Sequence, residues 1–231
     1  MENIRDNIIF VQFFENLKLS IPIGHKAIED IFNTPYDYPE LDPVRDEICR
    51  CIMCGMPQSA ITLTNHFMEL SLKVCLMYKY VNDNNQSLQN PMDCLKKAMK
   101  KYDNEVLSNN INTAYSVGLI TEEQKDSLHS FRENFRNPYS HATLSNTVGK
   151  STVGVQEHII DDSTNIEELA KSTFDKSKDV MIEITGLPLI RGIIQHQFSI
   201  EDSVPYFREV DEIVRTMLSK LDITERKNNK T

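Results

Sequence analysis

The sequence predicts an all-α protein, a four- or five-helix bundle carrying an N-terminal helical extension. Three observations predict it. The chain holds only 7 Gly among 231 residues, too few for a turn-rich β fold, whereas Leu, Ile, Lys, Glu and Met abound. Two stretches, one after Pro57 and one after Thr121, keep apolar residues three and four apart over successive turns. The connections between the long helical patterns are short, which favours antiparallel neighbours. With 40% hydrophobic and 26% charged residues the chain can bury a substantial core. Its length suits one large domain or one domain plus an extension.

In chain order, residues 1–20 read as a first helix, with Ile8, Ile9, Val11, Phe13, Phe14 and Leu17 supplying its apolar surface. A short helix over 26–32 follows, then a polar turn with three prolines. Pro43 is placed to open the next helix and Gly55 to stop it. Residues 1–55 are read as the extension and 56–231 as the bundle. Pro57 opens the longest pattern, in which Ala60, Leu63, Phe67, Leu70, Val74 and Met77 form one stripe. His66, Glu69 and Lys73 share its neighbouring side, either as a surface cluster or as the wall of a cleft. After a polar loop, Asn90-Pro91 starts a helix predicted to reach about Leu107.

Thr121 and Gln124 form a capping box at the start of the next helix, each side chain serving a backbone donor at the helix end. Leu128, Phe131 and Phe135 give its apolar stripe; His129, Arg132 and Arg136 fall on the adjoining face. Pro138 has no donor for a helical bond and biases Asn137 away from the helical region, so an end is expected near Arg136. Residues 143–165 break the pattern and read as a flexible loop or a small β-hairpin. Helical readings resume over 166–183, in an apolar segment around 187–198, and over 203–221. Asp202 or Ser203 is expected to cap the last helix, with Pro205 in its first turn. Its core stripe is Val210, Ile213, Val214, Met217 and Leu221, and the basic tail after it is expected to be disordered.

Composition also excludes. No apolar run approaches the ~20 residues a membrane span needs, and the N-terminus lacks the cationic leader and cleavage site of a signal peptide. A cytoplasmic protein with no membrane partner is expected. Three of five cysteines are crowded at Cys49, Cys51 and Cys54. A zinc site would want a fourth ligand and a turn between them. Cys51 and Cys54 instead join Val44, Ile48 and Ile52 near a core stripe, so reduced, buried thiols are expected, with no metal and no cofactor. A net charge of −9 argues against a broadly basic nucleic-acid surface. A local patch is nonetheless present: Lys96, Lys97, Lys100 and Lys101 share one broad helix face, as a solvated surface or as a cradle for RNA beside Arg132 and Arg136. Gly149-Lys150-Ser151 matches the end of a phosphate-binding loop, but Leu144 stands where that loop needs its first glycine, so an NTPase is excluded.

The residues with the most chemistry are Arg136-Asn137-Pro138-Tyr139-Ser140-His141. Arginine is a permanently charged fork for phosphate, and histidine exchanges a proton near neutrality. This Arg-Asn-x-x-x-His pattern resembles the signature of the HEPN superfamily, all-α domains that include metal-independent ribonucleases of bacterial defence and toxin systems. A second Arg-x4-His match, Arg191 to His196, sits in an apolar run with Gly192 after the arginine and reads as a buried segment.

The resemblance implies a metal-independent RNA endonuclease of a defence or toxin-type system. His141 would transfer protons, Arg136 would meet phosphate charge, and Asn137 would orient the two or contact substrate. Tyr139 and Ser140 would be supporting donors, with Arg132, Lys96, Lys97 and Lys100 holding RNA. It also implies a homodimer through the motif helix, since one Arg–His pair is too little for the reaction, and a possible antitoxin or defence-system partner. One variant of the family carries a modified Tyr two residues after the His, where this chain has Thr143. The alternative reading is a non-catalytic helical module for dimerisation or partner binding.

Overall fold

The computed structural model describes residues 8–84, 91–137, 139, 152–154, 181–183 and 188–228. Its helices are α1 (Ile8–Phe32), α2 (Asp42–Met53), α3 (Pro57–Asn84), α4 (Pro91–Tyr102), α5 (Leu107–Ser116), α6 (Glu122–Phe131) and α7 (Pro188–Asn228). A single π turn, Arg132–Arg136, extends α6. The all-α reading holds. Among the described residues there is also a pair of three-residue antiparallel strands, β1 (Thr152–Gly154) and β2 (Met181–Glu183).

Helix α3 is the axis of the bundle and packs on α2, α4, α5, the π turn and above all α7. Its Phe67, Met68, Leu72 and Leu76 are buried against Phe207, Val210 and Met217 of α7 and Leu128 of α6. Ile28, Ile31, Leu41 and Ile48 join the same core cluster, so residues of the N-terminal range pack with those of the bundle.

Glycine stops are visible where a left-handed residue is required. Gly55 (φ +68°) and Gly118 (φ +76°) end α2 and α5. In each case two reverse bonds close the helix: Met56 N–H to the Cys51 carbonyl with Gly55 to Ile52, and Leu119 to Ala114 with Gly118 to Tyr115. The expected stop at Gly55 is therefore found. The capping box at Thr121 and Gln124 is found as well, with both reciprocal bonds made.

Several boundaries differ from the expectation. Two helices meet in α1, as expected, but the break between them is a kink at Ile28 (φ −134°, ψ 17°) and not a gap before residue 26, and the first of them runs on through Pro22. Helix α4 stops at Tyr102 rather than near Leu107, and the turn 103–106 leads into α5. The last helical segments are one helix of 41 residues, so neither Asp202 nor Ser203 caps it, Pro205 lies inside it, and it runs on into the tail as far as Asn228. An interior proline costs a helix about 3 kcal/mol. Here Tyr206, Phe207, Val210, Val214 and Met217 bury one face against the bundle and outweigh it, while Glu201, whose carbonyl loses its donor, is exposed to water. Finally, Met181–Glu183 is a strand and not the end of a helix; its partner Thr152–Gly154 lies in the segment read as loop or hairpin.

Candidate functional site

Helix α6 is fixed at its start by the capping box and along its length by buried Leu128 and Phe131. Past Phe131 the chain widens: the Asn137 N–H bonds the Arg132 carbonyl, five residues back. Asn137 itself is helical (φ −65°, ψ −48°), so the helix passes through it instead of stopping at Arg136. The bias imposed by a following proline is a preference, and the wide turn takes up the change of frame.

The wide turn is held from behind. The Tyr206 hydroxyl of α7 donates to Oδ1 of Asn65 (2.8 Å), and Asn65 Nδ2 donates to the Phe135 carbonyl (3.3 Å). Tyr206 also stacks on Phe135, ring centroids 4.3 Å apart and planes 13° apart. A buried amide thus serves a carbonyl of the π turn, and an aromatic pair sets its height.

In front of the turn, Arg136 reaches Glu69 of α3, Nη2 to Oε2 3.9 Å, and its Nη1 donates to Asn137 Oδ1 (3.4 Å). The other oxygen of Glu69 pairs with Lys73 (3.2 Å). Glu69 therefore sits between two cations. These groups, with Arg132, line one side of a cleft of about 380 Å³; the turn carrying Asp103 and Glu105 lines the other. Nearby, His129 Nε2 donates to Asn112 Oδ1 (3.1 Å). Its pKa lies below the ordinary 6.5 because of partial burial, then the charges of Arg132 and Lys125.

The predicted residues divide accordingly. Arg132, Arg136 and Asn137 meet in the cleft, and Glu69 joins them, whereas His66 is exposed and does not line it. Lys96, Lys97 and Lys100 are exposed on α4 and are not among the groups lining the cleft. Tyr139 is half-buried; its hydroxyl donates to the Gln195 carbonyl of α7 (3.5 Å), and burial, then Asp202, pushes its pKa up to about 12. It supports α7. Ser140, His141, Thr143, Leu144 and Gly149–Ser151 lie outside the described residues. In the second match, His196 is exposed, contrary to the buried reading, and the side chain of Arg191 lies outside the described residues.

Asn65, Tyr206 and the turn 103–106 were not among the sequence candidates. An asparagine in the middle of an apolar helical stripe was the available signal for the first. Cys49, Cys51, Cys75 and Cys94 are buried and Cys54 is half-buried, all as free thiols. Burial pushes Cys49 and Cys75 up to about 12. Among the described residues no three His, Cys, Asp or Glu side chains converge on a metal position, and no helix is long and apolar enough to cross a membrane.

A larger hollow of about 750 Å³ lies between α1 and α7. Its cations are engaged in structure: Arg208 pairs with Asp30 (2.7 Å) and bonds the Ala27 carbonyl, while Arg215 pairs with Asp211 (2.8 Å) and bonds the Thr34 carbonyl. Asp211 in turn accepts from the Tyr36 hydroxyl. This network ties the 33–41 turn to α7.

Comparison of the chain with models of known protein families, with curated proteins and with solved structures gives no match.

Proposed function

We propose that this chain is a HEPN-type, metal-independent RNA endonuclease of a cytoplasmic defence or toxin system, acting at a cleft shared by two copies. The observation that carries the reading is the π turn Arg132–Arg136, which brings Arg132, Arg136 and Asn137 of the motif into one cleft with Lys73. Widened turns of this kind are frequent at functional sites. Three cationic groups in a hollow suit a phosphodiester and its flanking phosphates.

The reaction needs a base to take the proton of the 2′-hydroxyl, an acid to protonate the leaving 5′-oxygen, and a cation for the phosphorane. The 2′-oxygen bonds phosphorus as the 5′-oxygen departs, leaving a cyclic phosphate. Arg136 meets the developing charge, Asn137 orients Arg136 or the substrate, and His141 moves the protons. Two copies together supply two histidines, one for each proton transfer. Glu69 holds Arg136 until a phosphate replaces it.

Mixing the wild type with increasing amounts of His141→Ala protein tests the shared cleft. If both copies contribute a histidine to one site, mixed dimers are inactive and cleavage falls as the square of the wild-type fraction, whereas a fall in simple proportion would mean that each copy cuts alone. The alternative of a non-catalytic binding module draws support from the carboxylates of Glu69, Asp103 and Glu105 in the cleft, which oppose a phosphate. Failure of the wild type to cut any RNA would favour it.

A further inference from the structure

Helices α5 and α6 pack side by side, and their facing residues meet in three successive pairs. Lys125 Nζ stands over the Tyr115 ring, 4.6 Å from its centroid. One turn on, His129 Nε2 meets Asn112 Oδ1 at 3.1 Å. A further turn on, Arg132 and Ser108 line the same cleft. The α5 positions fall as the α6 positions rise, so the two helices run antiparallel and the pairs form one row leading out of the cleft.

Lys125, His129, Arg132 and Arg136 follow one another at four-, three- and four-residue steps, so they share one face of α6 and its π turn. That face is not core: all four are half-buried, whereas Leu128 and Phe131 make the buried stripe. Tyr115, at the far end of the row, is 41% exposed. Asp126 and Glu133 flank the row and pair with Lys125 (3.9 Å) and Arg132 (3.1 Å). His129 is neutral at pH 7, its pKa lying below 6.5. The row therefore offers three cations, two of them partly offset, and an aromatic ring. Arg136 lies 11 positions after Lys125. That is about 16 Å of helix, room for about five nucleotides at the ~3.4 Å spacing of a stacked strand.

We propose that this α5–α6 row is the track along which a single-stranded RNA leaves the cleft, with an unpaired base stacked on Tyr115, its phosphate at Lys125, and Asn112 with His129 meeting the base edges between. The inference rests on the reading of the cleft as an RNA site. It moves the RNA contact from the lysines of α4 to residues that no motif points to. The ring selects the occupant. Bases inside a duplex are already stacked on one another, whereas an unpaired base has a face to give. An acidic peptide would meet the same cations but has nothing to lay on Tyr115.

Fluorescence anisotropy of the full chain with labelled 2′-O-methyl oligoadenylates, which lack the attacking hydroxyl and cannot be cut, tests it. Affinity should rise with length to about five nucleotides and then level off. Its salt dependence should have a log–log slope no steeper than about −2, since each of three phosphates contributes about 0.7. Tyr115→Ala should weaken binding about tenfold, and Tyr115→Phe should keep it. Phe13→Ala, which removes an exposed ring from α1, is the matched control and should change nothing. A blocked duplex should bind more weakly and not respond to Tyr115→Ala. No binding, affinity independent of length, full affinity in Tyr115→Ala, or displacement by polyglutamate as effective as by RNA would overturn the proposal. Tyrosine-dependent binding of the blocked strand with no cutting of ordinary RNA would leave the track standing and sink the nuclease. Cutting of ordinary RNA with full affinity in Tyr115→Ala would do the reverse.

Discussion

Arg136 of the π turn and Glu69 of α3 face each other at 3.9 Å, and Lys73 holds the other oxygen of the same carboxylate at 3.2 Å. A single negative charge thus stands between two cations in the cleft. Any phosphate that binds there competes with Glu69.

Glu69→Gln should therefore tighten RNA binding. Removing one charge about 4 Å away is worth about 1 kcal/mol in water, roughly fivefold in affinity. Fluorescence anisotropy with a labelled single strand at low salt reads the change. The gain should shrink as salt is raised. An affinity that does not move would place the phosphates elsewhere.

The support behind the turn has its own signature. Tyr206→Phe keeps the stack on Phe135 but leaves buried Asn65 Oδ1 without its donor. The expected cost is about 1–3 kcal/mol of stability, read by urea unfolding. The cleft residues touch solvent, so Arg136→Ala should cost much less.

His129 predicts a pH dependence. Its folded pKa is below 6.5, so as pH falls through 6.5 the unfolded chain takes up a proton first and stability declines. The contribution is whole above 6.5 and disappears once the folded form is protonated too. Melting curves from neutral to mildly acid pH should show His129→Gln flatter than the wild type. Equal slopes would mean that His129 titrates alike in both states.

Thiol reactivity follows burial. With Cys49 and Cys75 pushed up to about 12, almost no thiolate exists at neutral pH. Timed alkylation with peptide mapping should label half-buried Cys54 first, and Cys75 only on unfolding. Early labelling of Cys75 in the native protein would contradict the core described here.

Features set by one or two neighbouring residues were legible in the sequence. The capping box at Thr121 and the stop at Gly55 follow from local pattern, whereas the buried face of α3 is centred on Ile61, Met68, Leu72 and Leu76, with Leu63, Leu70, Val74 and Met77 of the predicted stripe half-buried at its edge. What was hidden depends on distant partners. Pro205 reads as a helix start because nothing local shows that Tyr206 and Phe207 will be buried by α3. Glu69 and Arg136 are 67 positions apart in the sequence, so their pairing needed the fold. The π turn leaves no composition signal, since it changes which carbonyl is used and not which residue is preferred. The pairing of β1 with β2 crosses 26 intervening residues and has no hairpin signature.

Cleavage of single-stranded RNA with EDTA present, compared between the wild type, Arg136→Ala and His141→Ala, tests the central claim most directly. The account predicts cutting by the wild type and its loss in both variants, with helix content and oligomeric state unchanged. Cleavage that survives loss of His141, that requires added metal, or that the wild type never shows would contradict it.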